Sequence, residues 1–145
     1  MKISKTNESV YLGLGVVFSI KHQFDSANIC FKEGIRLKAY FPEGHSNYAN
    51  YLDIVGKVDS SLIEYAYSIN QNPDAVIPYL NRARIFMRLK RWDEAIKDYD
   101  HAIILKPESG ESYYLCGRCY ASKGDNKRAN SDTEKAKSLG YAPKQ

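Results

Sequence analysis

Tyr79-Leu80-Asn81-Arg82-Ala83, followed by Asp93-Glu94-Ala95-Ile96, Ala102-Ile103 and Leu105-Lys106-Pro107, decides the fold, because it recurs. Thirty-four residues on, Tyr113 stands for Tyr79, Gly117 for Ala83, Tyr120 for Phe86, Ala129 for Ala95 and Ala136 for Ala102. A fixed period of this size marks a chain built of stacked supersecondary units. Projected backwards, the same step covers the rest of the chain. Tyr11, His45, Tyr79 and Tyr113 open the units, with Leu14, Tyr48, Arg82 and Cys116 three residues later. A small residue follows (Gly15, Ala49, Ala83, Gly117), then a large one (Phe18, Leu52, Phe86, Tyr120). In the second half of each unit a small site (Ala27, Ser61, Ala95, Ala129) precedes a large one (Phe31, Tyr65, Tyr99, Thr133) and another small one (Gly34, Ser68, Ala102, Ala136). Pro73 and Pro107 share a closing site.

Small residues at three fixed sites let paired helices approach closely, and the large ones fill the space between them. Asp25, Asp59 and Asp93 stand at one repeat position before the second apolar run, where a carboxylate can accept from free N–H groups of a first helical turn. Asp125 serves the same end two residues out of step. Gly56 and Gly124 fall in the turn between helices, and Pro78 in a first turn, where its missing N–H costs nothing. The spacing predicts eight helices near 8–21, 24–38, 44–56, 59–71, 75–89, 93–105, 110–123 and 126–139, and no strands.

This pattern resembles the tetratricopeptide repeat (TPR) signature, W-x2-L-G-x2-Y, then A-x3-F, then P. The third unit matches best; the second, with His45 and Ser61, departs furthest. The resemblance implies an all-α fold, a right-handed α-α superhelix of about eight antiparallel helices. It further implies one domain over 8–143 (repeats 8–41, 42–75, 76–109 and 110–143) after a segment of residues 1–7.

Composition fits that reading. The chain has 145 residues, 26% of them charged, with a formal net charge of +4. Basic and acidic residues alternate, which suits a solvated surface more than a nucleic-acid patch. Twelve tyrosines suit helix seams and contact surfaces, having an apolar body and a polar tip. No stretch reaches the roughly 18 apolar residues of a membrane span. The run from Val10 to Ile20 could pass for a signal peptide, but Glu8 sits in its basic region and no small-x-small site follows. Three cysteines, Cys30, Cys116 and Cys119, do not make a disulfide scaffold. The expected setting is cytoplasmic.

In TPR proteins the first helix of each pair lines a concave groove in which extended peptides lie. Carried over by position, the groove of this chain would be lined by Leu12, Val16, Ile20, Asn47, Asn50 and Ile54 in its first half. Leu80, Asn81, Arg84, Arg88, Tyr114 and Arg118 would line the second. The first half is apolar and the second cationic. Arginine presents a planar fork to carboxylates, and Asn can meet both N–H and C=O of an extended backbone. The resemblance therefore implies a protein-binding adaptor or scaffold for a protein or peptide partner, acidic or bearing a C-terminal carboxylate. The carboxylate clamp of co-chaperone TPRs is not reproduced. Aligned here, Asn50 and Asn81 match, but the cationic sites fall on Ser46, Glu111 and Leu115.

Cys116-Gly117-Arg118-Cys119 is a C-x-x-C. Cys116 occupies the core position that Leu14 holds in the first unit, and packing explains it better than redox or metal chemistry. His22, His45 and His101 lie in different units at no metal-ligand spacing. No phosphate loop, nucleophile elbow or zinc-protease helix is present, so neither an enzyme nor a cofactor is expected. Alternatives are a self-associating scaffold, a homo-oligomer through the apolar first repeat, or an accessory subunit of an enzyme complex. A helical-repeat nucleic-acid binder fits less well, since pentatricopeptide repeats step by about 35. In the first helix, core packing is expected to take Tyr11, Leu14, Gly15 and Phe18. That leaves Leu12, Val16 and Ile20 as a stripe covered by a partner, a second copy or residues 1–7 folding back.

Overall fold

The computed structural model describes residues 8–143, and among them the chain is all-α, with eight helices and no strand. The helices are α1 (Glu8–Ile20), α2 (Phe24–Leu37), α3 (Pro42–Ile54), α4 (Val58–Gln71), α5 (Val76–Arg88), α6 (Trp92–Leu105), α7 (Gly110–Ser122) and α8 (Asn126–Ser138). Helix α3 starts two residues before its expected position because Pro42 takes the first turn, where its fixed φ suits the helix. Residues 1–7, and with them the expected fold-back over α1, lie outside the described residues.

The chain forms two compact units, one ending at Pro73 and the other starting at Asp74. In the first, α1 pairs with α2 and α3 with α4, and α2 packs on α3. In the second, α5 pairs with α6 and α7 with α8, and α6 packs on α7.

All twelve small-residue sites of the repeat are buried. A Cβ on Gly15 would come within 2.9 Å of the Phe31 ring, and one on Gly117 within 3.0 Å of the Ala129 carbonyl oxygen. Where the second repeat has serine for alanine, the hydroxyl is satisfied. Ser61 Oγ donates to the Ala49 carbonyl and Ser68 Oγ to that of Pro42, both at 2.8 Å. A buried hydroxyl without such a partner would be destabilising. Phe31, Tyr48 and Tyr51 form the aromatic centre of the first unit, with ring centroids 5.4–6.0 Å apart. In the second unit Tyr99 is fully buried and its hydroxyl meets Met87 Sδ at 3.2 Å.

Two expectations need correction. Asp25, Asp59 and Asp93 do not cap their helices. The caps are Gln23, Lys57 and Arg91, none with a side-chain capping bond, and each Asp sits inside the first turn. There it opposes the positive end of the helix dipole instead. Asp125 does cap α8, accepting from the Arg128 N–H at 3.1 Å. The second correction concerns α1. Leu14 is exposed, while Leu12 packs on the core cluster of Ala27, Phe31, Tyr48, Tyr51 and Leu52. The equivalents of Leu14 in α3 and α7, Tyr48 and Cys116, are sealed against the preceding α2 and α6. Among the described residues α1 has no preceding helix.

Candidate functional site

The face of the first helices divides between the two units. In the first unit, Val16, Ile20 and Ile54 are exposed, and Asn47 and Asn50 half-buried. Together with Ser19, Phe31 and Tyr51 they line a hollow of about 170 Å³. Among the described residues, none that lines it is charged. The Asn50 side-chain oxygen accepts from the Tyr65 hydroxyl, which holds the amide at the rim. Leu12, expected in the same lining, is turned half into the core.

In the second unit, Leu80 and Asn81 are half-buried, and Arg84, Arg88 and Arg118 exposed. Arg84 is already engaged: one guanidinium nitrogen donates to Asn81 Oδ1 and another to Glu111 Oε1, both at 3.0 Å. Arg118 and Tyr114 line a hollow of about 530 Å³ with Glu111, Leu115, Tyr141, Ala142 and Pro143. The Tyr114 and Tyr141 rings lie 5.3 Å apart. The wall built by 141–143 was missed from the sequence, although a signal was there. Tyr141 stands at the closing site that holds Pro73 and Pro107. Gly110 makes room for it, since a Cβ there would fall 2.6 Å from Tyr141 Cβ.

Another pattern went unread. Thirty-four residues separate Cys30, Glu64, Asp98 and Asp132, so three repeats carry a carboxylate at one inward site. Each meets a different group on the first helix of its own pair. His45 Nδ1 lies 2.7 Å from Glu64, Arg82 makes two 2.7 Å bonds to Asp98, and the Asp132 carboxylate stands close enough to the Cys116 thiol to raise its pKa. Cys116 Sγ donates to Asp100 Oδ1 at 3.8 Å.

The C-x-x-C thiols belong to this core. Burial raises the pKa of Cys116, and the neighbouring Asp132 and Asp100 carboxylates raise it further; burial pushes Cys119 up to about 11. Thiolate, the form that redox chemistry and metals require, is disfavoured at both. Among the described residues no group of three or more His, Cys, Asp or Glu could hold a metal ion, and no helix is long and apolar enough to cross a membrane.

Residues 77–109, the third repeat, match the family model of the tetratricopeptide repeat. The TPR repeat-containing thioredoxin TDX of Arabidopsis thaliana is 28% identical over 86 residues, which are 59% of this chain and 23% of that protein. The chain thus spans less than a quarter of that relative's length. Among solved structures, MamA aligns with a TM-score of 0.86 at 19% identity, over 92% of this chain and 78% of that one. The first TPR of Spaghetti (RPAP3), bound to the HSP90 peptide SRMEEVD, aligns with a TM-score of 0.76 at 19% identity, over 84% and 97%. At such identities the likeness concerns the fold.

Proposed function

We propose, on the premise that the chain is a tetratricopeptide-repeat protein by fold, that it is an interaction module holding protein or peptide partners on its first helices. It is assigned no reaction of its own, and its four repeats are read as one domain over 8–143. One observation carries this. At the groove positions the repeats expose apolar side chains in the first unit and arginines in the second, while the small sites of the same helices are buried and the large ones buried or half-buried. Side chains left out of packing at matching positions of successive repeats suit the face on which repeat proteins bind. The peptide bound to the structurally similar first TPR of Spaghetti (RPAP3) supports the reading by analogy.

The partner class is an acidic peptide or one with a free C-terminal carboxylate, read by Arg118 beside the Tyr114 and Tyr141 rings. Glu111 partly neutralises Arg84, so Arg118 is the stronger contributor. The proposed setting is cytoplasmic, consistent with buried free thiols at Cys30, Cys116 and Cys119. The test is fluorescence anisotropy with a peptide library ending in acidic residues, each as free acid and as amide. Free acids are expected to bind more tightly, to weaken with added salt, and to lose about tenfold on Arg118→Ala. Equal binding of acid and amide, with Arg84→Ala and Arg118→Ala both silent, would sink the reading.

A further inference from the structure

A third hollow, of about 350 Å³, lies in the first unit and shares no residue with the groove. Ile35 of α2 and Leu52 of α3 give it apolar walls, and Lys32, Lys57, Ser60 and Glu64 a polar rim. Glu64 is engaged by His45 Nδ1 at 2.7 Å. Among the described residues neither Lys32 nor Lys57 stands in an ion pair. The other repeats show why this place is open. Thirty-four residues on, Arg91 stands for Lys57, Glu94 for Ser60 and Phe86 for Leu52. There the guanidinium lies 4.6 Å from the centroid of the Phe86 ring and is held by Glu94 at 2.7 Å. In the fourth repeat the signs are exchanged. Arg128 pairs with Asp125 at 3.4 Å and lies 5.2 Å from the centroid of the Tyr120 ring. The first repeat has neither ion, with Gln23 and Ser26 at these sites. The second alone carries half of the pair: a cation, Lys57, with serine where the carboxylate would stand and leucine where the ring would lie.

We propose that this hollow binds a glutamate side chain of a partner protein, which supplies from outside the carboxylate that Glu94 supplies within the third repeat. An aliphatic neighbour of that glutamate rests on Ile35 and Leu52. Charge selects the carboxylate. The lining holds two lysines against one carboxylate, and that carboxylate already has His45. Helix α4 also begins here, with Lys57 as its cap and no side chain bonding the first-turn N–H groups, so the positive end of its dipole adds to the lysines. The walls select a protein segment over a small ion. An ion at the rim would use the lysines and leave Ile35 and Leu52 without a partner, whereas a glutamate beside a leucine satisfies both. The apolar contact is needed, because an ion pair at an exposed rim contributes little by itself in water. The site is independent of the groove reading, since it uses none of the groove residues.

The probe is the blocked peptide acetyl-Leu-Glu-Leu-amide, titrated into the labelled protein and followed by amide NMR, with its Leu-Gln-Leu counterpart and inorganic phosphate as controls. The glutamate peptide should shift the amides of Lys32, Lys57 and Ser60, and saturate at a concentration roughly tenfold lower than either control. Ser60→Glu restores the pair of the third repeat, three residues from Lys57 as Glu94 is from Arg91. It should weaken the glutamate peptide to the level of the glutamine one, with helix content unchanged, since Ser60 is exposed. Lys57→Gln, also at an exposed site, should do the same. Shifts confined to other surfaces, no shift at all, equal binding of the two peptides, phosphate binding as tightly as the glutamate peptide, or a Ser60→Glu protein that binds like wild type would each overturn the proposal.

Discussion

Lys90 and His22 hold positive φ angles of 59° and 57°, at the same repeat step where Gly56 and Gly124 hold 79° and 83°. The turn between paired helices therefore needs a left-handed residue in every repeat, and two repeats fill it with a side chain whose Cβ is strained there. Lys90→Gly is expected to stabilise the protein by roughly 1 kcal/mol, read as a melting temperature several degrees higher; an unchanged or lower one would mean that the lysine side chain compensates. Glycine made two of these turns legible in the sequence. The other two were not, because histidine and lysine carry no turn signal and only the period points to them. The same local reading misjudged Asp25, Asp59 and Asp93. An acidic residue before an apolar run looks like a cap, but the helix starts one residue earlier and takes it into the first turn.

Paired helices were the most legible level, because packing at fixed small and large sites repeats whatever the surroundings. All eight helices lie within two residues of the expected bounds. Which face of a helix is open was not legible, since that depends on neighbours. Leu14 matches Tyr48 and Cys116 by repeat position, but among the described residues no helix precedes its own. Arg82 shows the same dependence. Its position reads as apolar core, yet it is tied to Asp98, which is 2% exposed, by two bonds of 2.7 Å. Arg82→Met would leave that carboxylate buried without a counter-charge, at a cost of about 3–5 kcal/mol. The double variant Arg82→Met with Asp98→Leu should recover much of the loss. Urea unfolding of the three proteins checks it, and a double variant no more stable than the single would show that the ion pair is not the cause.

At the scale of the molecule, the two compact units are each held by their own core. Where stability is a sum of local terms, damage to one unit need not spread. Leu52→Ala, at a site 3% exposed in the aromatic core of the first unit, should cost roughly 2–5 kcal/mol. Hydrogen exchange is expected to quicken in α2 and α3 and to stay near wild type in α6, α7 and α8. Equal acceleration throughout would show that the chain opens as one body.

The inward-facing carboxylates of Glu64, Asp98 and Asp132 bear on a hazard of chains made of near-copies, which is that one copy can take another's place. Imidazole, guanidinium and thiol each answer a carboxylate from the opposite helix of the same hairpin. If α5 took the place of α1 beside α2 it would bring a guanidinium against Cys30, and if α7 took the place of α5 as the hairpin partner of α6 it would bring a thiol to a carboxylate that needs a cation. The second, third and fourth hairpins thus each carry a private address, and shuffling repeats to make new proteins from this one would work only if both helices of a pair travelled together.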